Sequence, residues 1–316
     1  MSDELIVFTH NDLDALGCML NLEFKFPTVK KKYFHTNYAN IVALTDEILE
    51  YQKENGNTHI VMPDVSFSDN KESLRRIYEA FPHCTHIDHH LYADGFWDEF
   101  PNMKVVWDKT KCATKLCNEY FGNKGINANL DKLTYLIDVY DLWQVKSTHF
   151  DTAQDLNEYF WKVDIAWFKD EVIRGNYSLP RNYMDIVNRA HIEYIKGMEN
   201  FEKRNLIHRA GETTVCFVND YFNQIMIKEM RQGKNFVIGA NSFGIIKIRV
   251  NQDSPYSDEQ LNKLRLELTG TENIGHMHAF TYKVKGSVDF NAIMQEVQKV
   301  TTAITRICNE NTKERK

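Results

Sequence analysis

A chain of 316 residues exceeds the usual size of one domain, so its length predicts two. Hydrophobic residues make up 43% of the chain and aromatic residues 12%, which is enough for packed globular cores. The net charge of −6 argues against binding to long duplex nucleic acid, because a protein that neutralises many phosphates needs a basic surface.

The cysteines and the apolar runs give expectations about the compartment. No CxxC pair occurs among the six cysteines, so the sequence predicts neither a disulfide framework nor a zinc site. No apolar run approaches the length that spans a bilayer, and the N-terminus is acidic. We therefore expect a cytoplasmic protein with reduced thiols and no membrane partner. A homodimer is left open.

Apolar runs of strand length alternate with amphipathic helical stretches through the first half of the chain. This alternation predicts right-handed crossovers and a parallel sheet. The stretch 108–121 is interpreted as a capped amphipathic helix, with Lys109 and Lys111 as less favoured catalytic candidates. Strands are predicted over residues 5–8, 59–62, 84–87 and 104–107, and helices from residue 15, over 40–55 and over 67–80.

Acids and histidines directly follow three of these predicted strands. Because ligands bind at the carboxyl edge of parallel sheets, we expect these side chains to share one site. Imidazole and carboxylate groups suit Mn²⁺, Fe²⁺, Zn²⁺ or Mg²⁺ as ligands. The sequence offers more of these groups than one ion needs. They match a two-metal site for phosphoryl transfer. The residues are His10, Asp12 and Asp14 after the first strand, Asp64 after the second, and Asp88, His89 and His90 after the third, with Asp138 and Asp141 at helical spacing within 133–141.

In this order the motifs resemble those of the DHH phosphoesterase superfamily, which includes RecJ-type exonucleases, nanoRNases, cyclic-dinucleotide phosphodiesterases and family II pyrophosphatases. The resemblance implies two divalent ions, with Mn²⁺ preferred and Mg²⁺, Fe²⁺ or Co²⁺ as alternatives. It implies that His90 faces the substrate phosphate and that Asp88 orients the neighbouring imidazoles. It also favours Asp141 over Asp138 as the last ligand. The implied ligands are His10, Asp12 and Asp64 for one ion and Asp14, Asp64, His89 and Asp141 for the other, with Asp64 shared.

The second half of the chain changes character after Pro180. Aromatic residues are frequent between 151 and 177, and their helical spacing favours core positions over a base-stacking surface. The charged stretch 182–209 predicts a long helix between domains. The predicted fold is α/β, with a parallel-sheet domain over 1–180, a linker helix over 181–210 and a smaller α/β domain over 211–316. Strands of the smaller domain are predicted over 212–218, 235–239 and 244–250, with a closing helix over 290–308.

The stretch 270–280 resembles the Gly-Gly-His-x-x-Ala signature of the DHHA1 domain that accompanies many DHH proteins, with Ile274 in place of the first glycine. The resemblance implies that His276 and Arg249 bind a phosphate of the substrate. Arginine suits that role because its guanidinium can pair with two oxygens at once. The alternative is that Arg249 is an ordinary surface residue of its strand.

The leading hypothesis is a metal-dependent phosphodiesterase that hydrolyses short RNA or DNA oligonucleotides, or linear or cyclic dinucleotides, to nucleoside 5′-monophosphates. His90 and Asp88 are its predicted catalytic residues. A RecJ-like single-stranded DNA exonuclease and a pyrophosphatase-like phosphoanhydride hydrolase are alternatives. A binding protein with a decayed site is a further alternative, which the intact acids disfavour.

Overall fold

The computed structural model describes residues 4–37, 40–56, 59–270, 278–286 and 288–314. The chain divides into two compact units, Met1–Asn188 and Arg189–Lys316. The division falls inside the stretch predicted to link two domains. Within these described residues, no helix combines the length and the apolar composition that crossing a membrane requires.

The first unit is built on a parallel sheet. Its strands are β1 (Glu4–Thr9), β2 (Lys30–His35), β3 (His59–Pro63), β4 (His83–Asp88) and β5 (Lys104–Trp107). They lie in the order β2-β1-β3-β4-β5, and every neighbouring pair is parallel, which confirms the predicted sheet. Strand β2 was not predicted, because its three lysines interrupt any apolar run. It lies at the edge of the sheet, where charged side chains are well tolerated.

Seven helices of the described first unit accompany this sheet. They are α1 (Leu13–Lys25), α2 (Ile41–Asn55), α3 (Lys71–Ala80), α4 (Ala113–Tyr120), α5 (Ala128–Asp141), α6 (Phe150–Lys162) and α7 (Ile165–Arg174). Ile6 and Phe8 of β1 pack with residues of α2 and α3, whereas Leu5 and Val7 pack with residues of α1 and α4. The sheet is therefore covered on both faces, which explains why β1 is apolar at successive positions.

The aromatic stretch after residue 150 is mostly core, as predicted. Phe160 and Phe168 are 3% and 1% exposed and lie on α6 and α7. Trp161 on α6 and Trp167 on α7 are exceptions, since they are 58% and 37% exposed. The stretch therefore contributes mainly to packing of the helices in the first unit.

From Tyr183 onward the described chain forms four helices and a second, mixed sheet. The elements are α8 (Tyr183–Lys203), β6 (Ile207–Ala210), β7 (Thr213–Phe217), α9 (Phe222–Arg231), β8 (Phe236–Ala240), β9 (Ile245–Val250), α10 (Asp258–Thr269), β10 (Ala279–Lys283) and α11 (Phe290–Glu314). The strand order is β10-β9-β8-β7-β6, and of these neighbours β7 and β8 are parallel. Ile246, Ile248 and Val250 of β9 pack in one core with residues of α10 and α11, which confirms a second α/β arrangement.

The helix predicted over 182–209 ends early, so the predicted linker helix boundary at 210 is wrong. Helix α8 ends at Lys203, and Asn205 adopts a φ of 51°, in the left-handed region that terminates helices. Residues 207–210 form β6, which pairs antiparallel with β7. Their hydrogen bonds go to a strand that follows in the sequence, and helical periodicity carries no signal for such a partner.

Candidate metal centre

Three strands of the first sheet end in acids or histidines at one edge. Strand β1 is followed by His10, β3 by Asp64, and β4 ends at Asp88 before His89. Asp64 has a φ of 56°, in the left-handed region, and its N–H donates a 2.9 Å hydrogen bond to the carbonyl of Ile87. A non-glycine residue in this conformation is uncommon, and such residues cluster at functional sites. The parallel arrangement thus brings the predicted residues of three strands to the same edge.

His89 lies among three of the predicted acids. Its Nε2 atom is 3.5 Å from Oδ2 of Asp14, 3.5 Å from Oδ1 of Asp64 and 3.5 Å from Oδ2 of Asp141. The side chains of His89 and Asp14 are each 1% exposed. Ligand atoms of Asp14, His89 and Asp141 lie within 4.8 Å of one another, so a single cation could contact all three.

A second group consists of His10, Asp12 and Asp64, whose ligand atoms also lie within 4.8 Å of one another. Nδ1 of His10 is 2.8 Å from Oδ2 of Asp12. The other carboxylate oxygen of Asp12 caps α1, because it accepts a 3.0 Å hydrogen bond from the N–H of Ala15. Asp64 belongs to this group and also lies beside His89 of the first group. It therefore occupies the position expected of a shared ligand.

Asp88 is a buried acceptor that orients two neighbouring side chains. Burial raises its pKa, but the charge and hydrogen bond of His90 outweigh burial and hold the pKa of Asp88 well below its usual range. Asp88 accepts a 2.7 Å hydrogen bond from Nδ1 of His90 and a 2.5 Å hydrogen bond from the hydroxyl of Tyr92. The His90 ring is thereby fixed by the acid that the sequence predicted to orient it, while Tyr92 was not predicted.

Negative charge accumulates in the two groups of candidate ligands. Burial raises the pKa of Asp64, and the charges of Asp12 and Asp14 raise it further. Burial and the charges of Asp14 and Asp12 also raise the pKa of Asp141. Burial raises the pKa of Asp12 too, but the charge and hydrogen bond of His10 outweigh it and lower that pKa below its usual range. Asp64 and Asp141 are therefore costly to ionise unless a cation lies beside them.

Two buried oxygens in the cluster fit a bound cation. Oδ2 of Asp64 and Oδ2 of Asp141 are buried and have no hydrogen-bond partner among the residues that the structure describes. A buried carboxylate oxygen costs free energy unless a donor or a cation satisfies it. Carboxylates together with imidazoles form a donor set that suits Mn²⁺, Mg²⁺ or Fe²⁺. The residues present therefore fit the divalent ions expected from the sequence.

The start of α4 belongs to this site, although the sequence analysis named only Lys109 and Lys111 as candidates in this stretch. The N–H of Ala113 donates to Oδ2 of Asp14 and the N–H of Thr114 donates to Oδ1, both at 2.8 Å. The Thr114 hydroxyl donates a 2.7 Å hydrogen bond to the carbonyl of Asp14. The first turn of a helix leaves its N–H groups without helical partners, and its dipole favours negative charge there. Helix α4 thus holds one candidate ligand in place.

Asp138 and Asp141, the two candidates for the last ligand, have different partners. Asp138 accepts a 3.0 Å hydrogen bond from the N–H of Cys112 and a 2.7 Å hydrogen bond from Nζ of Lys115. Asp141 instead lies in the group with His89. The structure places Asp141 among the candidate ligands and Asp138 in an ion pair.

The remaining predicted residues lie outside these groups. Lys111 precedes α4 and forms an ion pair of 2.8 Å with Glu119 of that helix. Arg249 lies on β9 of the second unit, and its Nη1 donates to the carbonyl of Phe280 at 3.4 Å. His276 falls outside the described residues.

Comparison with known proteins gives one curated relative. No family model matches the chain. Over 178 residues the chain is 29% identical to the oligoribonuclease NrnB of Bacillus subtilis (strain 168), a match that covers 53% of this chain and 44% of NrnB. The chain thus spans less than half the length of this curated relative.

Solved structures share the fold over nearly the whole chain. RecJ from Thermus thermophilus in complex with Mn²⁺ has a TM-score of 0.59 at 14% identity, over 96% of this chain and 52% of RecJ. Another exonuclease RecJ bound to manganese has a TM-score of 0.55 at 14% identity, over 95% of this chain and 90% of that one. The pGpG-specific phosphodiesterase PggH from Vibrio cholerae has a TM-score of 0.54 at 13% identity, over 96% of this chain and 99% of PggH. At these identities the likeness shows a common fold.

Proposed function

We propose that the chain is a divalent-metal-dependent phosphodiesterase of the DHH/DHHA1 phosphoesterase superfamily, which hydrolyses short oligonucleotides or dinucleotides to nucleoside 5′-monophosphates. The observation that carries the proposal is the position of His89, 3.5 Å from an oxygen of each of three acids. One imidazole among three acids is a costly arrangement unless cations bind there. Asp138, which is not a proposed ligand, by contrast has its own cationic donor in Lys115.

Two divalent ions would be held in the cluster, and Asp64 would be a ligand of both. Divalent ions bound there would neutralise charge on the attacked phosphoryl group and would lower the pKa of the attacking water. Mn²⁺ is the proposed identity, since carboxylate and imidazole suit it, with Mg²⁺, Fe²⁺ or Co²⁺ as alternatives. The proposed ligands are His10, Asp12 and Asp64 for one ion and Asp14, Asp64, His89 and Asp141 for the other.

Residues beside the ligands are proposed to bind the substrate. His90 would contact an oxygen of the scissile phosphate and offset part of its negative charge. Asp88 would keep the ring of His90 in one orientation through the 2.7 Å hydrogen bond at Nδ1. Arg249 is proposed to bind another phosphate of the substrate, because a guanidinium can pair with two phosphate oxygens. His276 is proposed for the same role.

The reaction adds water across a P–O3′ bond. It leaves a 5′-phosphate on one nucleotide and a 3′-hydroxyl on the other, so a dinucleotide yields mononucleotides. Two observations support short substrates. The chain carries a net charge of −6, which disfavours extended contact with a polyanion. The curated relative NrnB is an oligoribonuclease.

Two alternatives would use the same residues. A RecJ-like single-stranded DNA exonuclease would prefer longer DNA, and a pyrophosphatase-like hydrolase would cleave a phosphoanhydride without any nucleobase. The structural match with RecJ from T. thermophilus, over 96% of this chain, supports the first of these as the second candidate. The length and type of the preferred substrate distinguish both alternatives from the leading proposal.

The experiment is a substrate series with one matched variant. The purified chain and Asp64→Asn would be incubated with Mn²⁺ and with 5′-labelled RNA and DNA of two to about twenty nucleotides, cyclic dinucleotides and pyrophosphate. We expect the wild type to be fastest on the shortest oligonucleotides, to release 5′-monophosphates, and to lose this activity in Asp64→Asn. Absence of turnover by metal-loaded wild type on the whole series would overturn the proposal, as would equal rates for both proteins.

A further inference from the structure

Trp107 lies beside the candidate metal centre and has no role in the chemistry described above. It is the last residue of β5, and the strand register pairs it with Asp88 at the end of β4. It therefore lies at the same carboxyl edge as the candidate ligands. Its side chain is 43% exposed, although it is a large apolar group at the end of a sheet strand. Single exposed apolar residues are common on protein surfaces, so a function for Trp107 has to be argued from its contacts.

The indole is held in place by the neighbouring motif. Nε1 of Trp107 donates a 2.7 Å hydrogen bond to the carbonyl of His90. The ring nitrogen is thus satisfied by the backbone of the residue that is proposed to contact the scissile phosphate. A hydrogen-bonded indole with an exposed ring presents a rigid, flat apolar surface at low entropic cost.

Packing of the first unit does not account for this tryptophan. The preceding residues of β5, Val105 and Val106, pack against the core clusters on the two faces of the sheet. Trp107 belongs to neither cluster. Trp161, another exposed tryptophan of the same unit, lies on α6 and stacks edge to face on Phe160. Position and hydrogen bonding therefore distinguish Trp107 from a tryptophan that is merely exposed.

We propose that Trp107 is a platform on which a nucleobase of the substrate stacks. This inference rests on the proposed function and deepens it, because it states what the first unit recognises besides phosphate. Every base has a flat π-face, so an aromatic platform binds unpaired bases with little regard to sequence. A base paired in a duplex is not available to stack in this way. The platform therefore selects single-stranded or very short nucleotides and disfavours pyrophosphate, which has no base.

The test compares ligands that differ only in the base. One is a dinucleotide whose bridging O3′ is replaced by a methylene group, so that it is not cleaved. The other has the same backbone with both bases removed. Binding of each in the presence of Mg²⁺ would be measured by calorimetry for the wild type, Trp107→Ala, Trp107→Phe and the matched control Trp161→Ala. Circular dichroism and thermal unfolding would show that each variant is folded.

We expect Trp107→Ala to bind the base-containing ligand about fivefold to 150-fold more weakly, the range that one stacked base contributes. Its affinity for the abasic ligand should equal that of the wild type. Trp107→Phe keeps a ring and should lose less, and Trp161→Ala should lose nothing. Binding of the base-containing ligand should also quench tryptophan fluorescence in the wild type and much less in Trp107→Ala.

Three results would overturn the inference. Trp107→Ala could match Trp161→Ala on both ligands, it could weaken both ligands equally, or the wild type could fail to bind the base-containing ligand. Equal weakening would mean that Trp107 acts only by positioning His90. Failure of the proposed function is distinguishable, since it would appear as base-dependent binding through Trp107 without turnover of the cleavable dinucleotide.

Discussion

The N–H of Thr114 donates a 2.8 Å hydrogen bond to the carboxylate of Asp14, which lies 100 positions earlier in the chain. Ala113 donates to the other oxygen of the same carboxylate. A candidate metal ligand is thus held in one orientation by the start of a helix. The contact requires α1 and α4 to approach closely, and Gly17 on α1 allows it. A Cβ atom at Gly17 would lie 2.0 Å from the hydroxyl oxygen of Thr114.

Replacing Gly17 by alanine should therefore destabilise the protein. In an open helix this change would stabilise by about 0.5–1 kcal/mol. Here the new methyl group meets Thr114 and also Cδ1 of Ile137 at 2.7 Å, so we expect a net loss of about 1–3 kcal/mol in the free energy of unfolding, as for other overpacked cores. Urea unfolding measures this. Thr114→Ala removes the first clash, so the double variant should lose less than the sum of the single losses. Strictly additive losses would contradict the close approach.

Asp138→Asn and Asp141→Asn should change the stability of the metal-free protein in opposite directions. Asp138 accepts from Lys115, and loss of its charge should cost roughly 1.5–3 kcal/mol of stability while leaving metal binding nearly intact. The pKa of Asp141 is raised by burial and nearby acids, so its charge destabilises the metal-free protein. Asp141→Asn should raise the Tm without metal and weaken metal binding by more than the roughly tenfold to hundredfold typical of an outer partner. Calorimetric titration with Mn²⁺ and thermal unfolding with chelator measure both effects. The reverse pattern would assign Asp138 as the ligand.

The sequence singled out the acids and histidines that lie together in the candidate site. It did not predict the backbone hydrogen bonds that hold them in place. His10, Asp64 and His89 follow apolar strands directly, and parallel strands bring their carboxyl ends to one edge, so a linear pattern was sufficient. Asp138 and Asp141 share a helical spacing, and their contacts in the folded chain, Lys115 for Asp138 and His89 for Asp141, distinguish them. The bonds from Thr114 to Asp14 depend on how two helices pack, which no local pattern encodes.

Elements of the fold were missed for similar reasons. Strand β2 begins with Lys30, Lys31 and Lys32 and has no apolar run, because an edge strand has one neighbour and little buried surface. Residues 207–210 were assigned to a helix because local helical spacing carries no information about their pairing partner, β7, which follows them in the chain. Trp107 ended a correctly predicted strand, yet its exposure and its hydrogen bond to His90 appear only in the folded chain.

Divalent cations should stabilise the folded protein strongly. The buried oxygens of Asp64 and Asp141 have no hydrogen-bond partner among the described residues, and a cation would neutralise their charge. A ligand that binds only the folded state, at a concentration one hundredfold above its Kd, adds about 2.7 kcal/mol. We expect Mn²⁺ to raise the Tm and excess chelator to reverse the change. Asp64→Asn is the control, since it should be stabilised much less. Equal shifts in both proteins would mean that the cation binds elsewhere.

Arg249→Ala tests the proposed phosphate contact of the second unit. A charge-assisted contact is worth about 1.5–3 kcal/mol and is already made in the ground state, so KM should rise about tenfold to a hundredfold with kcat nearly unchanged. The effect should be largest for dinucleotides, which offer few other contacts. Arg306→Ala is a matched control, because Arg306 is an exposed arginine of the same unit that pairs with Glu267. Steady-state kinetics on two-, five- and ten-nucleotide substrates measure both. Unchanged kinetics of Arg249→Ala would exclude it from substrate binding.

The central claim is that two divalent ions bind at the carboxyl edge of the first sheet and share Asp64. The most direct measurement is an electron paramagnetic resonance titration of the metal-free chain with Mn²⁺, run beside Asp64→Asn. A shared carboxylate couples the spins of two manganese ions, so the account predicts two bound ions per chain and an exchange-coupled spectrum in the wild type. Asp64→Asn should lose that coupled spectrum. A wild type that binds a single ion, or that shows only isolated Mn²⁺ spectra at saturation, would contradict the shared two-metal centre.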